Sequence, residues 1–303
     1  MRILMTGSHG FVGTNLIEAL SSDHEIIRWD VRSNEVLPDC DAVIHLAGKA
    51  HDTKNATQED EYFKVNTELT KKIFDAYLKS KARIFIFFSS IKAKDNDTAY
   101  AKSKKKAEEY IINHTTDWHF DQTQCVEKSQ GILDYARNDK RVYILRPCMI
   151  HGKGVKGNLP LLFKFVKKGW PWPLAVFENQ RSYAFMGNVS YVVKELLDRD
   201  VEFGIYNLCD DETVSTNELI RLISASHGNE TKMLRLPKWL VQKGAKIGDV
   251  LHLPLNSERL AKLTSDYVVD NSDIKRALNI TSLPVSAKEG LMSTIKTMIY
   301  DKY

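Results

Sequence analysis

Short apolar runs alternate with helix-period segments through the first half of the chain. Arg2–Met5, Glu25–Trp29, Ala42–Leu46, Ile84–Phe88 and Val142–Leu145 read as strands, apolar nearly throughout. Val12, Leu16, Ile17 and Leu20 recur at helical spacing, and Phe63–Ser80 and Ala99–Asn113 read as longer helices. Strands without a polar face, separated by helices, predict a parallel sheet covered on both sides, a doubly wound α/β fold. Beyond about Gly152 prolines gather, from Pro160 to Pro284, and helical segments (Thr216–Ser226, Asp273–Leu278, Ala287–Asp301) mix with loops. The expected division is a dinucleotide-binding Rossmann domain over 1–155, with 183–209 returning to it, and a smaller mixed C-terminal domain over 156–182 and 210–303.

A chain of 303 residues has room for about two domains. The longest apolar run, Ile84–Phe88, is far short of the roughly 20 residues that span a bilayer, so no membrane insertion is expected. With 43 basic and 39 acidic residues the charge is too balanced for a nucleic-acid surface. Cys40, Cys125, Cys148 and Cys209 have neither zinc-type spacing nor the density of a disulfide framework, so buried thiols are expected. The first residues run into a glycine motif with no basic stretch followed by an apolar one, so the expected compartment is the cytoplasm.

That motif is Thr6-Gly7-Ser8-His9-Gly10-Phe11-Val12-Gly13. It follows a strand and opens a helix. Gly7 allows the tight turn, Gly10 lets a pyrophosphate approach the backbone, and Gly13 lets the helix pack on the strand. The N–H groups around Phe11 and Val12 then face the phosphates. Asp30 ends the next strand, 17 residues past Gly13, where a carboxylate meets the adenosine ribose. A 2′-phosphate there would set like charges together, which favours NAD. Arg28 and Arg32 flank Asp30 and could clamp that phosphate, so NADP stays open.

Tyr100 and Lys104 stand one helical turn apart. Ionising a phenol near neutrality takes about 4 kcal/mol, and one cation at about 4 Å supplies that order. Ser89 and Ser90 close an apolar strand at the end where ligands bind in doubly wound sheets.

Together these residues resemble the extended short-chain dehydrogenase/reductase family, the nucleotide-sugar epimerases and dehydratases, over nearly the whole chain. The likeness rests on Gly7, Gly10 and Gly13; on His45-Leu46-Ala47-Gly48; on Asn66, Ser89-Ser90, Tyr100-x-x-x-Lys104 and Arg146-Pro147. It continues through Gly157-Asn158-Leu159, Asn179–Tyr183, Asn256-Ser257-Glu258-Arg259 and Glu289-Gly290-Leu291. It implies a nicotinamide-dependent redox step on a nucleotide sugar, with Tyr100 as base. Lys104 would lower its pKa and hold the nicotinamide ribose, and Ser90 would bind the reacting oxygen, with Ser89 nearby. Leu46, Ala47 and Gly48 would line the cofactor. Asn158, Arg181 and Arg259 resemble residues that hold the nucleotide diphosphate, and no metal is implied. Dehydratases carry an acidic pair where this chain has Ile91 and Lys92. Ser-Ser-Ile-Lys looks like the subgroup acting on UDP-N-acetylhexosamines in bacterial surface polysaccharide pathways. Three readings stay open: C4 epimerisation through a 4-keto sugar, reduction of a UDP-4-keto-6-deoxy-N-acetylhexosamine, and a non-catalytic dinucleotide sensor. A homodimer through the two long helices is implied by the resemblance.

Two spacings depart from the family. Nine residues separate Ser90 from Tyr100 where relatives have a longer loop, and ten separate Asp30 from Asp41, too few for the usual third strand. Thr115–Lys140, with Trp118, Phe120 and Cys125, is longer than relatives need, and Val126, Ile132 and Leu133 suit an extra helix.

Overall fold

The computed structural model describes residues 1–30, 37–49, 59–95, 97–115, 140–228, 230–251 and 256–300. In chain order these form β1 (Arg2–Thr6), α1 (Phe11–Leu20), β2 (Glu25–Trp29), β3 (Ala42–His45) and α2 (Glu59–Tyr62). A π-type turn over Phe63–Glu68 runs into α3 (Leu69–Lys79), followed by β4 (Ile84–Phe88), a 3-10 turn over Ile91–Lys94, and α4 (Ala99–Asn113). Next come β5 (Arg141–Pro147), β6 (Met149–His151), α5 (Asn158–Lys167), β7 (Tyr183–Phe185), α6 (Met186–Asp198) and β8 (Gly204–Leu208). The chain closes with α7 (Thr216–Ser226), α8 (Lys238–Leu251), α9 (Ser257–Thr264), α10 (Ser272–Leu278) and α11 (Ala287–Tyr300).

Two compact units result. The first holds Met1–Cys148, Ser190–Leu208 and Ser272–Ile280; the second holds Met149–Val189, Cys209–Asn271 and Thr281–Tyr303. The 272–280 stretch thus groups with the sheet, where the sequence reading put it with the C-terminal domain.

The first unit is built on six parallel strands in the order β2-β1-β3-β4-β5-β8. Every residue of β3 and β4 is buried, which explains their lack of a polar face. Register aligns the carboxyl ends: Thr6 pairs with Trp29 and His45, and His45 with Phe87. The glycine loop, Asp30, Leu46–Gly48 and Ser89–Ser90 each follow one of these ends, so all lie along one edge of the sheet. Among the described residues β2 is the outer strand on its side, with no third strand beyond it.

The expected strands and helices of the first half form, with one difference. The helix expected over Phe63–Ser80 starts with the wider π-type turn. Among the described residues three strands and five helices lie where the periodicity predicts none, the shortest helix being α2. β6 and β7 are three residues each. β8 alternates buried and half-buried positions and edges the sheet. Pro160 sits in the first turn of α5, where proline is tolerated, and α8 carries two glycines. α6 and α9 likewise lie outside the expected helical segments. Cys40, Cys148 and Cys209 are buried and in no disulfide. Cys125 and the expected extra helix lie outside the described residues.

His45 ends β3 fully buried, its Nδ1 2.7 Å from Thr6 Oγ1 and its Nε2 2.9 Å from Thr70 Oγ1. Burial, and secondarily the Lys104 charge, push its imidazole from 6.5 down to about 3. The unfolded chain therefore takes up a proton that the fold refuses. The stabilisation is whole above pH 6.5 and drains as pH falls toward 3, by about 1.4 kcal/mol per pH unit. His45→Gln is expected to be less stable than the parent at pH 8, with the gap narrowing toward pH 5 in thermal melts. A gap that does not change with pH would contradict this account.

Candidate active site

The glycine loop is shaped by what a side chain would strike. Gly7 has φ +66°, and a Cβ there would lie 2.7 Å from Ala47 N and 2.8 Å from the Leu46 carbonyl carbon. A Cβ on Gly13 would meet Gly7 O at 2.5 Å and Ser8 Cα at 2.8 Å. Both obstacles are backbone, so neither can yield cheaply. The loop after β3 is fastened to this turn, since Ala47 N donates to Thr6 Oγ1 at 3.2 Å and Leu46 N to Thr6 O at 3.3 Å. Gly10 caps α1 without a side-chain acceptor, and no acidic residue stands in the first turn. The N–H groups of Phe11, Val12 and Gly13 thus keep their attraction for an anion. Asp30 is exposed just past β2.

The second half of the edge holds the titratable groups. Lys104 is buried on α4, and its Nζ donates to Phe88 O at 2.9 Å and lies 4.8 Å from the Phe87 ring centroid. Burial lowers its ammonium from 10.5 to about 8, while Glu108, one turn along α4, opposes that fall. Glu108 is itself buried and gripped from two sides by Arg146, Nε to Oε1 at 2.9 Å and Nη2 to Oε2 at 2.5 Å. The Tyr100 hydroxyl shares a hydrogen bond with Ser90. Burial holds the phenol above its ordinary 10, Ser90 pulls it down, and Tyr62 adds to the rise. Tyr62 meets Tyr100 edge-on, ring centroids 6.2 Å apart. Ser90 Oγ also accepts from Lys92 N at 3.3 Å, while Ser89 Oγ is buried without a hydrogen-bond partner among the described residues.

Asn66 knits the two halves. It lies in the π-type turn, a form common at functional sites. Its Oδ1 accepts from Lys49 N at 2.7 Å, and its Nδ2 donates to Lys49 O and to Ser103 Oγ, both at 3.0 Å. Ser103 Oγ in turn donates to Tyr100 O at 2.8 Å. Gly48 completes the fit, because a Cβ there would sit 3.0 Å from Asn66 Oδ1 and 3.1 Å from Lys104 Nζ.

The structure therefore brings Ser89, Ser90, Tyr100, Lys104 and Gly48 together in the first unit. The expected diphosphate residues all belong to the second. Asn158 opens α5 and is exposed. Arg181 Nη1 donates to Lys262 O at 2.7 Å and Ser265 O at 3.2 Å, at the end of α9, the helix that carries exposed Arg259. Sequence reading missed Tyr62, Glu108 and the roles of Asn66 and Arg146. For Glu108 a signal existed: a carboxylate four residues past Lys104 shares its helix face.

The Glu108–Arg146 pair is nearly dry, with Glu108 showing 2% of its side chain to solvent. Arg146→Leu leaves that carboxylate alone and is expected to cost about 3–5 kcal/mol in chemical denaturation. Adding Glu108→Leu should recover most of the loss. A single variant as stable as the parent would refute the pairing.

A search against family models matches the NAD dependent epimerase/dehydratase family over residues 3–209. A UDP-glucose 4-epimerase of Vibrio cholerae is 27% identical over 323 aligned residues, covering 98% of this chain and 95% of that protein. The N-acetyl-alpha-D-glucosaminyl-diphospho-ditrans,octacis-undecaprenol 4-epimerase of Escherichia coli O157:H7 is 26% identical over 274 residues, 82% of this chain and 79% of that protein. Among solved structures, the UDP-glucuronic acid 4-epimerase of Bacillus cereus in complex with NAD superposes with a TM-score of 0.69 at 16% identity, covering 99% of both chains. The parallel sheet, the glycine loop at its edge and the match over two thirds of the sequence lead to one statement: the chain belongs to the NAD-dependent epimerase/dehydratase family.

Proposed function

We propose that this protein is an NAD-dependent C4 epimerase of a UDP-linked hexose or N-acetylhexosamine. The observation that carries the reading is the Tyr100–Ser90 hydroxyl pair beside buried Lys104, on the sheet edge that also bears the glycine loop. The edge fits a dinucleotide: the close backbone approach at Gly7 and Gly13, the α1 N-terminus for a pyrophosphate, exposed Asp30 for a ribose hydroxyl, and the orphaned Ser89 Oγ. NAD, when bound, supplies a reversible acceptor for the C4 hydride.

The chain's own residues do the rest. Tyr100 takes the proton from the C4 hydroxyl and returns it after the sugar presents its other face. Ser90 donates a hydrogen bond to the reacting oxygen. Lys104, one helical turn from Tyr100, stays fixed by Phe88 O and supplies positive charge on that face of α4. Where a dehydratase places its acids, Ile91 is buried and the Lys92 amide is tied to Ser90. That leaves no carboxylate at those positions to eliminate water. In the second unit we assign Asn158, Arg181 and Arg259 to the nucleotide diphosphate. Arg181 commits Nη1 to two carbonyls of its own chain, and a guanidinium has further donors.

The test starts with dinucleotide released by acid from the purified protein, followed by incubation with UDP-GlcNAc and with UDP-glucose and NMR of the sugars. Retained NAD and a mixture of C4 epimers is the expected result. Tyr100→Phe should cut turnover by about 10²–10⁴ while keeping the dinucleotide. Lys104→Met should weaken both. A protein that carries no dinucleotide, converts neither sugar and instead consumes NAD(P)H with a 4-keto sugar would replace this reading with the reductase.

A further inference from the structure

Helix α8 is dressed inside out. It rests on its own unit through Val241, Ala245 and Gly248, a stripe of small side chains. Its large apolar residues face outward: Trp239 is 59% exposed, Ile247 56% and Leu251 63%, with Leu240 beside them. At about 100° per residue, Trp239, Leu240, Lys243, Ile247 and Leu251 share an arc of about 120°. A surface helix ordinarily has the reverse arrangement, and an exposed apolar face of this kind marks a contact surface.

The charges decide what it contacts. Lys238, Lys243 and Lys246 are all exposed, and the one acid of the helix, Asp249, is held by Ser257 through its backbone N at 2.9 Å and its hydroxyl. Lys243 lies within the apolar arc, its Nζ 5.3 Å from the Trp239 ring centroid. Pairing of this face with a second copy across a two-fold axis would press Lys243 ammoniums into the partner's apolar arc, which is costly. At a lipid surface the same residue fits, with its stem along the acyl boundary and its ammonium among the phosphates. An aromatic ring at the edge of the arc suits the headgroup level. We propose that the exposed face of α8 docks on an anionic phospholipid surface, lying in the plane of the interface. The helix has 14 residues, too few to span, and no helix among the described residues is long and apolar enough to cross a membrane. The proposal is independent of the sugar chemistry.

The test is flotation of the purified full chain with vesicles of phosphatidylcholine containing a quarter phosphatidylglycerol, against phosphatidylcholine alone. Partition into the anionic vesicles is expected, falling by more than about tenfold without the anionic lipid or in high salt. Ile247→Asp, and separately Lys243→Glu with Lys246→Glu, should each cause a similar loss with the melting temperature unchanged, since these side chains are exposed. The charge pair keeps the test open should Ile247→Asp fail to fold. No partition, or partition that neither change reduces, overturns the proposal. So does concentration-dependent self-association in sedimentation that Ile247→Asp abolishes, which would make the occupant a second copy.

Discussion

A lysine ammonium with almost no exposed surface is the constraint on which the site depends. Lys104 can stay charged inside the fold only if its neighbours replace water. Phe88 O takes one of its hydrogen bonds, the Phe87 ring offers its face, and Glu108 lends negative charge from one turn along. Each of these groups has its own support. Phe88 O is placed by the register of β4 against β5, and the Glu108 carboxylate by Arg146, which stands on β5. The sheet and α4 therefore position this charge jointly, and neither could be shifted without moving it.

Burial also sets the state of the neighbouring titratable groups. His45, at the end of the neighbouring strand, remains neutral because a second cation in this dry region would be too costly. Two threonine hydroxyls occupy its ring nitrogens instead. Tyr100, half-buried, is held in its protonated form by desolvation, while the hydrogen bond from Ser90 favours ionisation. A phenol so placed changes charge only when further positive potential arrives near it, which is the behaviour a proton-transfer group needs if it is to act with substrate present.

Much of this was legible in the chain. Uninterrupted apolar runs such as Ile84–Phe88 gave away a doubly covered parallel sheet, and the spacing of Gly7, Gly10 and Gly13 announced the turn that the backbone contacts at Ala47 and Ser8 enforce. Ser90, Tyr100 and Lys104 were readable because they fall at a strand end and on one helix face. What stayed hidden has physical causes. Asn66 acts through a π-type turn, which lacks a sequence period of its own, and Tyr62 reaches Tyr100 across two separate helices. α8 escaped because its glycines and outward apolar residues do not produce the usual inward stripe.

The sheet unit is also discontinuous in the chain, and this has a consequence for how it comes into being. β5 ends at Pro147, its partner β8 arrives only at Gly204–Leu208, and α10, which packs on β8, follows at Ser272–Leu278. At about 5–20 residues per second of synthesis, on the order of ten seconds separate the completion of β5 from the emergence of α10. Until β8 emerges β5 is an open edge of the sheet, and until α10 emerges β8 lacks the helix that packs on it. A polypeptide cut at residue 209, where the family match ends, would pair β8 with β5 but lack α10 permanently. Ser272–Ile280, near the end of the chain, is thus a structural part of the unit that the first half builds.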